Sequence, residues 1–240
     1  MKTRICILLV FILLLTAAAI LCAREISLDA MEQGPGEPVY VIDAGHGGED
    51  GGAVSPDGSR ESEINLAISR RVELLLGLFD CPCVMTRDKE ILEYPTDANT
   101  VRKRKQADLE RRADLVNGIP NAVLVSTHQN KYPSQKPSGA QVFCKEDIHS
   151  RRIAEYTQKQ LAAGLSDPVR ELSVISDDIY LMRNAKCPAI LVECGFLSNP
   201  RESALLRSES YQTRLALCIA CACAEYTKEW EKEYGQGSKG

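Results

Sequence analysis

Two of the chain's three histidines stand where a buried strand would end. His46 lies four residues beyond the apolar run Val39-Tyr40-Val41-Ile42, inside the glycine-dense turn Asp43-Ala-Gly-His-Gly-Gly. His128 directly follows Ala122-Val-Leu-Val-Ser-Thr127, and Glu193 directly follows Ala189-Ile-Leu-Val192. Glu61 opens a stretch of helical periodicity after the first of these turns. Two imidazoles and one carboxylate form a common ligand set for catalytic zinc, leaving a position open for water. Water bound to such a metal is acidified to a pKa of about 7. A further carboxylate can take a proton from that water and pass it to a leaving amine. The inventory suits zinc hydrolysis of an amide.

Taken singly, each residue has a plainer use. A lone histidine at a strand end is commonly a hydrogen-bonded structural residue, and Glu61 could simply be a first-turn acid favoured by the helix dipole. Glu193, directly after a buried run, needs either a partner or a function. His149 sits in a polar helix start and reads as surface, and Cys194 reads as packing. No Gly-Lys-Ser/Thr follows the glycine turn, which argues against phosphate binding, and no His-Glu-x-x-His occurs.

For the four residues to meet, the strands that carry them must lie side by side and parallel. Val, Tyr and Ile favour pleated, buried strands, so strands are expected at 39–42, 83–86, 122–127, 139–144 and 189–192, with a short edge strand at 179–182. Ile64, Ile68, Val72, Leu75 and Phe79 repeat at helical spacing, placing a helix over 61–79 with Asn65 one turn beyond Glu61 on the same face. Further helices are expected at 109–117, stopped by Asn117-Gly118, at 148–161 and at 211–226. The polar stretch 87–105, with Arg102, Lys103, Arg104 and Lys105 in a row, reads as a solvated loop or helix face, or as a substrate-facing insertion because it is long for a connection. Strands alternating with helices imply an α/β fold: a single domain whose mostly parallel sheet is covered by helices on both faces.

Composition bounds the setting. Of 240 residues, 44% are hydrophobic and 26% charged, with a net charge of −4. That suits one globular domain and gives no reason to expect nucleic acid. Lys2 and Arg4 precede an N-terminal hydrophobic segment, 5–22, without charge. It reads as a cleaved secretory signal or an uncleaved membrane anchor, and the lack of a good cleavage site favours the anchor. Either sends the remainder across the membrane. The expected organisation is a signal or anchor over 1–23, a linker over 24–37, a catalytic domain over 38–226 and a polar tail over 227–240. The ten cysteines form no regular disulfide framework. Cys218, Cys221 and Cys223 lie on a helical stretch and read as small buried hydrophobes, with a metal cluster as the alternative.

Six motifs occur in order: Asp43-Ala-Gly-His-Gly-Gly, Glu61-x-x-x-Asn65-Leu66, Thr86-Arg87, Leu109-x-x-Arg112, Ser126-Thr-His128-x-Asn130, and Leu191-Val-Glu193-x-Gly-Phe-Leu-Ser-Asn199. Together they resemble the zinc-dependent N-acetylmuramoyl-L-alanine amidases of bacterial cell walls, the Amidase_3 catalytic domain. The resemblance implies Zn2+ held by His46, Glu61 and His128, with Glu193 as catalytic acid and base. The family's Glu-x-x-x-Asn-Leu spacing selects Glu61 over Glu63. Asn65 and Asn130 are then expected to orient ligands or substrate. The implied substrate is peptidoglycan, cut at the amide between muramic acid and L-alanine, outside the cytoplasm. The widened segment between Arg87 and Leu109, the run Ala-Asn-Thr-Val-Arg at 98–102, and Ser138-Gly-Ala-Gln-Val-Phe143 are similar to the branch acting in spore formation. Enzymes of that branch strip stem peptides so that muramic-δ-lactam can form in the cortex. Rival expectations are a zinc peptidase cutting within the stem peptide and a peptidoglycan-binding protein without catalysis. A protein activator is a further expected partner, since an enzyme can hold all its residues and still require one.

Overall fold

The computed structural model describes residues 36–175 and 178–234. The signal or anchor and most of the linker therefore lie outside the described residues, and among the described residues no helix is long and apolar enough to cross a membrane. Residues Glu37–Trp230 form one compact unit. The strands are β1 (Val39–Ala44), β2 (Cys83–Met85), β3 (Ala122–Asn130), β4 (Gln141–Cys144), β5 (Ser173–Val174) and β6 (Ala189–Phe196). The helices are α1 (Glu61–Leu78), α2 (Val101–Gly118), α3 (Ile148–Gly164), α4 (Tyr180–Asn184), α5 (Pro200–Leu206) and α6 (Glu209–Tyr234).

The six strands form one sheet in the order β2-β1-β3-β6-β4-β5. The pairs β2–β1, β1–β3, β3–β6 and β4–β5 are parallel, and only β4–β6 is antiparallel. The expected α/β sheet, mostly parallel, is thus the one observed. Alternation along each strand feeds two cores. Tyr40, Ile42, Val123, Val125, Ile190 and Val192 pack with α1, α3 and α6. Val41, Leu124, Ala189 and Leu191 face the other way, onto Ala113 and Val116 of α2 and Leu181 and Met182 of α4. A strand buried on both faces reads as a continuous apolar run, which is why β1, β3 and β6 are the clearest in the sequence.

Several expectations are corrected. The segment 179–182 is not a strand: α4 begins at Tyr180, and the sheet edge is instead the two-residue β5. The apolar run Ile179-Tyr-Leu-Met182 is too short for periodicity to separate the two. Helix α2 starts at Val101, not near 109, so the basic row belongs to its first turns. The Thr100 hydroxyl caps it by accepting from Lys103 N at 3.3 Å. Helix α6 runs on to Tyr234, taking in residues expected in a polar tail. His149, expected at the surface, is half-buried, its ring centroid 5.8 Å from that of Trp230. No disulfide forms among the eight described cysteines, and Cys81, Cys144, Cys194, Cys218 and Cys223 are buried, as small hydrophobes would be.

Candidate active site

Because β1, β3 and β6 are adjacent and parallel, their carboxyl ends share one rim, the usual ligand edge of an α/β sheet. Asp43 pairs in register with Ser126, and His128 pairs with Glu193. Strand β3 continues through His128 to Asn130 and β6 through Glu193 to Phe196, so both polar residues lie within strands. Helix α1 then delivers Glu61 from its first residue.

His46, Glu61 and His128 come together at this rim, with one ligating atom of each within 4.8 Å of the others. Glu61 Oε1 lies 3.0 Å from His128 Nδ1, and Glu61 Oε2 lies 3.3 Å from His46 Nε2. Ligands bound tetrahedrally at 2.0–2.2 Å would stand roughly 3.4 Å apart. The donor set and its spread therefore fit a single zinc ion. It is the only such group of histidine, cysteine and acidic side chains among the described residues.

The backbone that presents His46 is tightly specified. Its φ is 60°, a left-handed conformation that costs a non-glycine residue about 1 kcal/mol or more. Two buried arginines hold the turn in that shape. Arg112 donates to the carbonyls of Ala44 (2.8 Å) and His46 (2.5 Å), and Arg87 donates to those of Ala44 (2.8 Å), Gly45 (3.2 Å) and Ser62 (2.7 Å). Gly45 is constrained for a different reason: a Cβ there would lie 2.3 Å from His128 Nε2, so a larger residue must displace that ring. At Gly52 (φ 66°) a Cβ would meet Glu61 Oε2 at 2.5 Å.

Charge is arranged around the three donors. Burial disfavours ionised Glu61, but hydrogen bonds and charge from His128 and His46 outweigh it, holding the carboxyl well below its usual range. Glu61 also accepts from Ala53 N (2.8 Å) and Gln129 N (3.0 Å). Asp50 takes His46 Nδ1 at 2.9 Å, which leaves Nε2 to face Glu61, and Lys105 reaches the same Asp50 oxygen at 2.9 Å. Burial alone would lower His46, yet Asp50 and Glu61 raise it to about 9. Such a carboxylate–histidine pair fixes tautomer and ring orientation in metal sites.

Glu193 stands beside this group with its Oε2 buried and without a hydrogen-bond partner among the described residues. Burial pushes its pKa up to about 7, with Glu61 adding to the rise and the two histidines opposing it. Asn65 reaches the site, donating to Gly45 O at 3.0 Å and Glu61 Oε1 at 3.4 Å. At Asn130 the carbonyl accepts from Leu197 N at 2.8 Å, and the side chain makes no hydrogen bond among the described residues. Cys194 is fully buried and burial pushes its thiol far up, which suits the packing role expected of it. A cleft of about 220 Å³ opens beside His46 and His128, walled by Leu109 and Lys105 of α2 and by Tyr180 of α4. The roles of Asp50, Lys105 and Gln129 escape a reading of the sequence. Nothing in their spacing marks them, because they reach the site from a turn, a helix and the far face of β3.

The comparisons with known proteins agree with this fold. The family model for N-acetylmuramoyl-L-alanine amidase covers residues 41–225. A germination-specific N-acetylmuramoyl-L-alanine amidase of Bacillus subtilis is 35% identical over 192 residues, spanning 80% of each chain. Among solved structures, the CwlD amidase of Clostridioides difficile, determined in complex with the GerS lipoprotein, superposes with a TM-score of 0.75 at 32% identity, over 80% of this chain and 99% of that one. The catalytic domain of the amidase CwlV from Bacillus (Paenibacillus) polymyxa gives 0.68 at 30% identity, over 80% and 98%. With fold, rim and motifs in agreement, this chain belongs to the N-acetylmuramoyl-L-alanine amidase family of hydrolases.

Proposed function

We propose that the protein is a zinc-dependent amidase acting outside the cytoplasm on peptidoglycan, cutting between the lactyl carboxyl of N-acetylmuramic acid and the first L-alanine of the stem peptide. His46, Glu61 and His128 would hold the metal. Zinc, when bound, supplies a Lewis acid for the carbonyl and for the attacking water. The remaining work falls to the chain. Glu193 takes the proton of the attacking water and returns it to the departing alanine nitrogen, a pairing of tasks favoured by a carboxyl whose pKa lies near neutrality. Asp50 holds His46, Asn65 braces Glu61, and Asn130 is left to meet substrate. The observation that carries this reading is the orphaned Oε2 of Glu193 beside the His-Glu-His group, a buried acceptor that a water or substrate proton would satisfy.

The same reading places the enzyme in the spore cortex branch, where amide cleavage precedes muramic-δ-lactam formation. The resemblance to a germination-specific amidase supports this. The relative solved with a lipoprotein suggests that a protein partner at the membrane assists here as well. The segment 1–23 would keep the catalytic domain, 38–226, near that surface.

The test is zinc content measured together with mass analysis of digested peptidoglycan, for the full chain and for Glu193→Gln. Near-stoichiometric zinc in both, with intact stem peptides bearing a free L-alanine amino terminus released only by wild type, is expected. Cuts within the stem would make the protein a peptidase. Bound zinc without release, with and without a candidate lipoprotein partner, would make it a binding protein.

A further inference from the structure

Helix α1 turns a stripe of polar residues towards β3. Glu61, Asn65 and Ser69, spaced at i, i+4 and i+8, are all buried, and so are the β3 residues they meet, Thr127 and Gln129. Ser69 Oγ lies 2.8 Å from Thr127 Oγ1. Gln129 Nε2 donates to Asn65 Oδ1 at 3.1 Å, and Gln129 N donates to Glu61 Oε1. Buried polar side chains packed on an apolar sheet are costly unless satisfied. This seam is satisfied at every atom but one, Gln129 Oε1.

The amide orientations follow from the partners. Asn65 must aim its NH2 at Gly45 O and Glu61 Oε1, both acceptors, so its Oδ1 can only accept, and Gln129 must present its NH2 there. Turning the Gln129 amide over would set two oxygens against each other. The unpartnered Oε1 is thus the cost of giving Asn65 a donor. Gln129 follows His128 directly, so one residue ties the strand carrying one candidate ligand to the helix carrying another.

From this we infer that Gln129 is a positioning residue for the metal site: through Asn65 and its own main-chain N–H it sets the Glu61 carboxylate between His46 and His128. It touches neither substrate nor reacting atoms. The inference rests on the reading of His46, Glu61 and His128 as zinc ligands, and predicts that removing the side-chain amide weakens zinc binding while the fold persists. Groups of this kind typically contribute 10- to 100-fold in metal affinity.

The experiment titrates zinc against a chromophoric chelator for wild type, Gln129→Met, Gln129→Leu and His128→Ala, and records thermal unfolding of each with and without zinc. Gln129→Met is nearly isosteric and removes donor and orphan acceptor together. Gln129→Leu likewise lacks donor and acceptor, is slightly smaller, and serves if the first variant does not fold. The expected result is at least a tenfold loss of zinc affinity in the folded Gln129 variant, with a smaller zinc-induced rise in Tm than in wild type. Wild-type affinity in that variant, with any loss of Tm equal in both states, would make Gln129 a packing residue and overturn the inference. His128→Ala separates the two levels. If it loses zinc while Gln129→Met does not, only the positioning role fails; if it binds zinc like wild type, the ligand assignment fails too.

Discussion

Arg112 Nη1 lies 2.9 Å from Asp43 Oδ1, and both side chains are almost wholly buried, 2% and 3% exposed. The pair joins the middle of α2 to the end of β1, three residues before His46. Asp43 is further satisfied by Ser126 Oγ (2.6 Å) and Thr86 Oγ1 (2.7 Å), and Arg112 by Asp108. A buried charge is tolerated only in such company, and deleting one partner typically costs about 3–5 kcal/mol. Arg112→Met should lower the urea midpoint accordingly. Arg112→Lys should recover little, since one ammonium cannot serve Asp43, Ala44 O and His46 O in a fixed fork. Equal midpoints for wild type and Arg112→Met would mean the pair adds nothing to the fold.

The same pair sets an acid limit on stability. Burial would raise the Asp43 carboxyl, but Arg112 and the Ser126 and Thr86 hydroxyls hold it down at about 2, against about 3.9 for a free aspartate. A depressed folded-state value contributes stability above the unfolded pKa, and that contribution fades as pH falls through the folded one. Asp43 should therefore supply about 2–3 kcal/mol above pH 4 that is lost between roughly pH 4 and 2. Urea unfolding across that window should show a steeper loss for wild type than for Asp43→Asn. Parallel curves would rule out the assignment.

Gly45 separates space from flexibility. A methyl there would sit 2.3 Å from His128 Nε2 and 2.4 Å from Cε1, so Gly45→Ala must rotate the imidazole away from Glu61. Zinc affinity should fall at least tenfold while far-ultraviolet circular dichroism is retained. Gly77, inside α1, meets nothing within 4 Å of an added Cβ. Gly77→Ala should leave zinc affinity unchanged and raise stability by about 0.5–1 kcal/mol through helix propensity. Retained affinity in Gly45→Ala would show that His128 is not confined by the turn.

The sequence discloses what short-range physics controls. Apolar runs buried on both faces reveal β1, β3 and β6, and their abrupt polar ends expose His46, His128 and Glu193. Where local signal is weak, other forces decide. The first two turns of α2 carry Arg102, Lys103, Arg104 and Lys105 with no apolar repeat, so only the Thr100 cap and the tertiary setting mark the start. Ile179 to Met182 is apolar enough for a strand but buries Leu181 and Met182 as a helix against the α2 face of the sheet. The partners of the site are hidden for the same reason. Asp43 meets Arg112 across 69 residues, and Gln129 meets Asn65 across 64. Such pairs follow from the sheet order, which no local pattern encodes.

Glu193 offers the sharpest separation of stability from chemistry. Its Oε2 is buried without a partner and its neighbours include the Glu61 carboxylate, so ionising it works against the fold. A glutamine in its place would keep the shape and remove the charge, so Glu193→Gln should unfold at the wild-type Tm or slightly above it. Zinc content should be unchanged, since Glu193 is not among the three donors within 4.8 Å. Turnover should nevertheless fall about 10²- to 10⁴-fold, the usual contribution of a positioned general acid or base. The decisive comparison is kcat for stem-peptide release alongside Tm and zinc content in one preparation. A variant that is stable, loaded with zinc and nearly inactive assigns the proton transfers to Glu193, whereas full activity in that variant would require another group to carry them.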